Sequence, residues 1–176
     1  MTNNRKEKNM IDDFYKNYCK ATKYCTNPLN FYTHNPNSNS EPDVCFEIII
    51  NNNSEIVILE AKHSNKHNNH NYWKQLFGEI LQNRKYYYIC KTTNKVNKTP
   101  SFGIFLNYDN AQLPVIYTDY LVKNVTLDDW NNFGIQYNCK FVFLYDKNNH
   151  ELYYSEWTDF IKYDSTKKNC PQIIKY

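Results

Sequence analysis

The sequence predicts an α/β domain in which a central mixed β-sheet is flanked by helices. Three observations lead there. Met10, Phe14, Tyr18 and Ala21 recur at spacings of three and four, giving one apolar helical stripe. Two β-rich runs, Val44–Ile50 and Glu55–Lys62, enclose Asn51-Asn52-Asn53-Ser54, residues suited to a turn. A second amphipathic stretch over 72–86, with Trp73, Leu76, Phe77, Ile80 and Leu81 on one side, then precedes further strand candidates. Helices interleaved with strands in this way point to a sheet covered on its faces.

The elements follow in order. A first helix is expected over about Asn9–Tyr24, then an Asn-, Pro- and Ser-rich loop from Asn27 to Glu41. After the hairpin comes a polar connection, His63 to Asn71, whose His63, His67 and His70 fit a solvated loop. The second helix is followed by a basic loop, Lys91 to Pro100. Phe102–Asn107 and Val115–Val122 are strand candidates. Thr126 is placed to cap a short helix through Gln136, with Asp128 and Asp129 in its first turn. Lys140–Tyr145 and Leu152–Ser155 form a hairpin around Asn148-Asn149. There is no internal repeat. A chain of 176 residues suits one domain, with its core over roughly 10–107 and a helix-and-strand extension over 108–176.

Composition narrows the function classes. Aromatic residues reach 17%, too many for a disordered chain. The net charge of +3 permits nucleic-acid binding without demanding it. Six cysteines include no Cys-x-x-Cys pair, which argues against structural zinc. No apolar run approaches the length of a membrane span, and no signal peptide is evident. A soluble, intracellular protein of cytoplasm or nucleus is expected, with all six cysteines reduced.

The segment that carries chemistry runs from Pro42-Asp43 to Glu60-Ala61-Lys62. With Asn52 and Asn53 at the hairpin tip, Asn51 faces Ser54, Cys45 faces Glu60 and Asp43 faces Lys62. Alternate residues share a face, so Asp43, Glu60 and Lys62 project to one side, and opposed side chains lie about 5 Å apart at Cβ. Val57, Leu59 and Ala61 point the other way, into the core. Two carboxylates can hold a divalent cation that offsets phosphate charge and acidifies bound water, and a lysine can orient the nucleophile. Oxygen ligands favour magnesium or manganese over zinc.

On these residues the chain resembles the PD-(D/E)XK nuclease superfamily, over roughly Met10 to Asn107. The resemblance implies a restriction-endonuclease-like core. It implies that Asp43 and Glu60 ligate the metal with the backbone carbonyl of Ala61, and that Lys62 positions the attacking water. On the following helix, Gln75, Glu79, Gln82 and Tyr86 form a polar stripe. Gln82-Asn83-Arg84-Lys85-Tyr86 resembles the Gln-x-x-x-Tyr element of RecB-like members. Gln75, Gln82 and Tyr86 are therefore expected to touch metal waters or nucleic acid. Asp12 or Asp13 is the candidate for an acidic residue added from the first helix, with Asp13 preferred. His34 and Glu47 are further candidates, for an upstream histidine and a supporting carboxylate.

The expected activity is a magnesium- or manganese-dependent nuclease acting on nucleic acid, with DNA favoured over RNA. Arg84, Lys85 and the lysines from Lys91 to Lys98 are the candidate phosphate contacts, with tyrosines stacking on bases. A homodimer is the expectation for a branched-DNA resolvase. The alternative is a catalytically silent nucleic-acid-binding or regulatory protein of the same fold.

Overall fold

The hairpin that begins the sheet is set by its turn. Asn52 adopts a left-handed φ of 63°, which asparagine tolerates, and the strands on either side pair from Ile50↔Asn53 to Val44↔Leu59. Cys45 therefore faces Ile58, not Glu60 as the sequence register predicted. The reversal is made one residue earlier than expected, and the register moves by two. A two-residue shift keeps every side chain on its face, so the predicted parity survives.

The structure, a computed structural model, describes residues 3–19, 42–50, 52–63, 75–84, 99–108, 125–160 and 174–176. Helix α1 (Asn3–Asp13) continues into a π-helical segment, Phe14–Cys19. Strands β1 (Val44–Ile50) and β2 (Asn53–Lys62) form the hairpin. Helix α2 (residues 75–84) precedes β3 (Ser101–Asn107). Helix α3 (Leu127–Tyr137) leads into β4 (Cys139–Asp146), β5 (Glu151–Glu156), the short α4 (Trp157–Phe160) and β6 (Ile174–Lys175). The predicted strand 115–122, the basic loop 91–98, and His34, His67, His70, Lys85 and Tyr86 lie outside the described residues.

The sheet runs β1-β2-β3-β4-β5-β6. Its centre is parallel, β2 to β3 to β4, and its outer pairs are antiparallel. Parallel strands are covered on both faces, and β3 is buried along its whole length. On one face Met10, Phe14 and Tyr18 pack over Phe46, Leu59, Phe105 and Tyr145. On the other, Leu76 and Ile80 of α2, Trp130 of α3 and Trp157 of α4 cover Ile58, Ile104 and Val142. The mixed sheet flanked by helices that the sequence predicted is therefore present.

Tyrosine manages the β1 edge. An edge strand presents unpaired backbone groups to any passing strand. Tyr15 donates its hydroxyl to the Cys45 carbonyl at 3.1 Å and accepts from the Cys45 N–H at 2.8 Å. Tyr176, just past β6, does the same for Ile49, at 3.0 and 3.4 Å. The sheet curls so that residues from its two ends meet.

Thr126 caps α3 as expected, accepting from the Asp129 N–H at 3.1 Å. Cys45 and Cys139 are buried free thiols, but Cys19 is disulfide-bonded, which corrects the expectation of six reduced cysteines. Among the described residues no helix is long and apolar enough to cross a membrane.

Trp130 and Trp157 stack with centroids 4.0 Å apart and exchange bonds, each indole N–H donating to the other's carbonyl. Gly134 lies against this pair. A Cβ there would sit 2.5 Å from Trp157 Cδ1, and the ring, stacked on Trp130 and bonded through its N–H, has little freedom to retreat. Gly134→Ala should destabilise the fold by about 1–3 kcal/mol through overpacking. Urea unfolding measures this, and an unchanged midpoint would show that the ring yields.

Candidate active site

Glu60 and Lys62 are two residues apart on β2, so they leave the strand on one face. That face lies under α2, while Val57, Leu59 and Ala61 enter the opposite core with α1. Glu60 and Lys62 are only 6% and 8% exposed. Asp43, just before β1, turns its carboxylate back to the hairpin, where Oδ2 accepts the Ala61 N–H at 2.9 Å. This extends the ladder one step past Val44↔Leu59 and holds Asp43 in hydrogen-bond contact with Glu60. The two carboxylates and the amine named from sequence are thus brought together.

Lys62 Nζ donates to Glu60 Oε1 at 2.8 Å and lies 2.9 Å from Glu79 Oε2 and 3.9 Å from Glu7 Oε2. The Glu79 contact is a close ion pair made by a buried carboxylate oxygen. Asn83 Nδ2 donates to Glu60 Oε2 at 3.2 Å. Glu79 and Asn83 are four apart and share one side of α2. Glu7 reaches in from α1 and accepts from the His63 backbone N–H.

Three carboxylates, Glu60, Glu79 and Glu7, therefore surround one ammonium, with Asp43 beside Glu60. Burial raises Glu60 far above the usual carboxylate range, and the charge of Asp43 adds to the shift, against the opposing pull of Lys62. Burial likewise lifts Glu7 to about 7, opposed by Lys62 and reinforced by Asp43 and Glu79. For Lys62, burial favours loss of the proton, but Glu60 and Glu7 outweigh it and hold the amine charged.

The donor set is all oxygen, which suits a hard divalent cation. Among the described residues no three acidic, imidazole or thiol side chains converge on one metal position. Asp43 and Glu60 supply two carboxylates, and backbone oxygen and water would have to complete the shell.

The other predicted residues are placed differently. Gln75 and Gln82 are exposed, and of the α2 stripe Glu79 reaches the cluster. Asp12 is exposed. Asp13 accepts from the Tyr145 hydroxyl at 2.7 Å and from Asn17, and lies 3.1 Å from His150 Nδ1. Glu47 takes the Ser54 hydroxyl toward the turn end of the hairpin. Arg84 is bonded to the Gln136 carbonyl at 2.8 Å and lies over the Tyr137 ring. Sequence reasoning missed Glu7 and Asn83, and both left a signal. Asn83 is a polar residue on the apolar stripe of Leu76 and Ile80. Glu7 precedes Met10 and Phe14 at the same helical spacing.

A raised carboxyl pKa favours the protonated folded state. The Glu7 contribution is fully present below about 4.5 and is lost as pH rises through about 7. In chelator, Glu7→Gln should therefore gain stability relative to the unsubstituted protein between about pH 4.5 and pH 8, measured by thermal unfolding. A difference that does not change with pH would contradict the assigned environment.

Compared with protein-family models, with curated proteins and with solved structures, the chain finds no match.

Proposed function

We propose that this protein is a divalent-metal-dependent nuclease that hydrolyses phosphodiester bonds, with DNA as its preferred substrate. The observation that carries this reading is the buried meeting of Asp43, Glu60 and Lys62 at the C-terminal end of β2. Burying ions costs several kcal/mol each, and ordinary fold stability rarely needs such an arrangement. The resemblance of Pro42-Asp43 and Glu60-Ala61-Lys62 to the PD-(D/E)XK motif points the same way.

Asp43 and Glu60, with the Ala61 carbonyl, would hold magnesium or manganese, which supplies charge neutralisation at the phosphate and a more acidic water. Asn83 fixes one oxygen of Glu60 and so sets the orientation of that carboxylate. Lys62 offers a charged donor to the attacking water and to the charge that develops on the phosphate. Glu79 holds the same ammonium from α2, and substrate phosphate would compete with it for that contact.

A rival reading has one observation in its favour. Lys62 is already paired with Glu60 and Glu79, so the cluster could be a structural ion-pair knot in a nucleic-acid-binding or regulatory protein. Catalysis separates the two. Asp43→Ala and Glu60→Ala should abolish cleavage of DNA in manganese while the protein stays folded. Undiminished cutting by the double variant would remove the assignment.

Lys62→Met should lose on the order of a hundredfold in single-turnover rate, by analogy with losing one oxyanion donor, with substrate affinity little changed. A rate within about threefold of the unsubstituted protein would leave Lys62 structural. Manganese should raise the melting temperature at about pH 8, because the ion binds the folded site, and Asp43→Ala should erase that shift. An equal shift in both proteins would place the metal elsewhere.

A further inference from the structure

The β4–β5 hairpin closes on a histidine. Asp146 pairs with Glu151, and the four turn residues between them close with His150 at a left-handed φ of 53°. Glycine takes that conformation without penalty, and asparagine, aspartate and histidine are the side chains that enter it most readily. The turn itself is firmly built. Asp146, fully buried, accepts from the Asn148 N–H at 2.9 Å and from the Asn149 side chain at 2.9 Å. The turn residues themselves, Lys147 to His150, are exposed.

The imidazole does not hang free on this frame. Its Nδ1 lies 3.1 Å from Asp13 Oδ2 and 3.5 Å from the Tyr145 hydroxyl. Tyr145 donates to the same Asp13 oxygen at 2.7 Å. Burial and the nearby Asp13 push the Tyr145 hydroxyl well above its ordinary range, so it stays a donor. Asp13 is acceptor-only when ionised, so Nδ1 carries the hydrogen between them. Nε2, across the ring, is left for another partner, and the side chain is 49% exposed. A histidine oriented by a carboxylate in this way is set up to act through its second nitrogen.

Its place relative to the candidate site gives the partner. Lys62 pairs with Leu106 and Asn107 with Tyr145, in parallel strands, so Lys62 and the His150 turn lie at the same end of the sheet. Lys62 leaves the sheet on the α2 side and His150 meets Asp13 on the α1 side, so the two strand spacings between β2 and β4, about 10 Å, are the least distance between them. A stacked nucleic-acid strand advances about 3.4 Å per phosphate, so this least span is about three nucleotide steps.

Resting on the nuclease reading, we infer that His150 is a phosphate contact that holds the nucleic-acid strand a few nucleotides from the scissile bond, with Asp13 as its positioning residue. With Nδ1 turned to the Asp13 carboxylate, Nε2 is the ring atom open to a phosphate, and the imidazolium form donates its Nε2–H to a phosphate oxygen. Lys147 in the same exposed turn adds positive charge, and both carboxylate oxygens of Asp146 are engaged by the turn. The sequence offered Asp13 as an acidic residue added to the site from the first helix; here it serves the same substrate from farther along the strand.

The test uses His150→Asn, which keeps the left-handed turn, and His150→Arg, which restores a charged donor. Binding of a short fluorescein-labelled DNA, single-stranded and duplex, is followed by anisotropy across a salt series in chelator, and cleavage is followed in manganese. His150→Asn should weaken binding about fivefold to tenfold and flatten the dependence of log K on log salt by about one, as for the loss of one phosphate contact. The kcat at saturating substrate should hold. His150→Arg should recover the affinity and the slope, and Asp13→Asn should lose part of both. If the unsubstituted protein binds and cuts while His150→Asn matches it in affinity and slope, this inference fails and the nuclease reading stands. If the unsubstituted protein neither binds nor cuts nucleic acid, both fail.

Discussion

The arrangement at the end of β2 rests on one constraint: Glu60 and Lys62 are buried together on one face of a strand. Ions taken out of water cost several kcal/mol each unless their remaining hydrogen-bonding capacity is met. Three elements meet it here. The hairpin brings Asp43 back to the Ala61 N–H, α2 supplies Asn83 and Glu79, and α1 supplies Glu7. Charge remains out of balance, since Glu60, Glu79 and Glu7 face one ammonium and Asp43 lies beside Glu60, and this adds to the burial that lifts Glu60 and Glu7. A protein that needed only stability at this point would gain from apolar residues of similar volume.

The sheet explains why the cluster can be held there. The parallel strands β2, β3 and β4 are sealed by α1 on one face and by α2, α3 and α4 on the other. Their C-terminal ends are set by registers pinned deep in both cores, so Lys62, Asn107 and Tyr145 keep fixed relative positions. The tyrosines have a matching structural duty. Tyr15 and Tyr176 satisfy the outer backbone of β1, and Tyr145 anchors Asp13 beside the β4–β5 turn. Their abundance in the composition reflects hydroxyl bonds as well as buried rings.

Much of this was legible in the sequence where the signal was local. Val44–Ile50 carries a β-branched run and the strand has those bounds. Thr126 with Asp128 and Asp129 announced the start of α3. The face shared by Asp43, Glu60 and Lys62 depended only on parity, so it survived a register error of two residues. That error arose because four consecutive turn-forming residues, Asn51 to Ser54, leave the point of reversal undetermined. What was not legible was partner choice across the fold. Asp13 and Glu7 lie on the same helix, and which of them meets Lys62 follows from how α1 crosses the sheet. Gln75 and Gln82 face solvent because α2 turns Leu76, Ile80 and Asn83 inward. The short α4 and β6 have too few residues to show a period, and they owe their form to Trp130 and to β5.

The central claim is that the carboxylates at the end of β2 form a divalent-cation site. Anomalous X-ray scattering from crystals soaked in manganese tests it most directly. The account predicts an anomalous peak bound by the carboxylates of Asp43 and Glu60, with Lys62 retained beside it, and no such peak in Asp43→Ala. Manganese bound elsewhere, or an undisturbed knot of Lys62 with Glu60 and Glu79 at saturating metal, would contradict it.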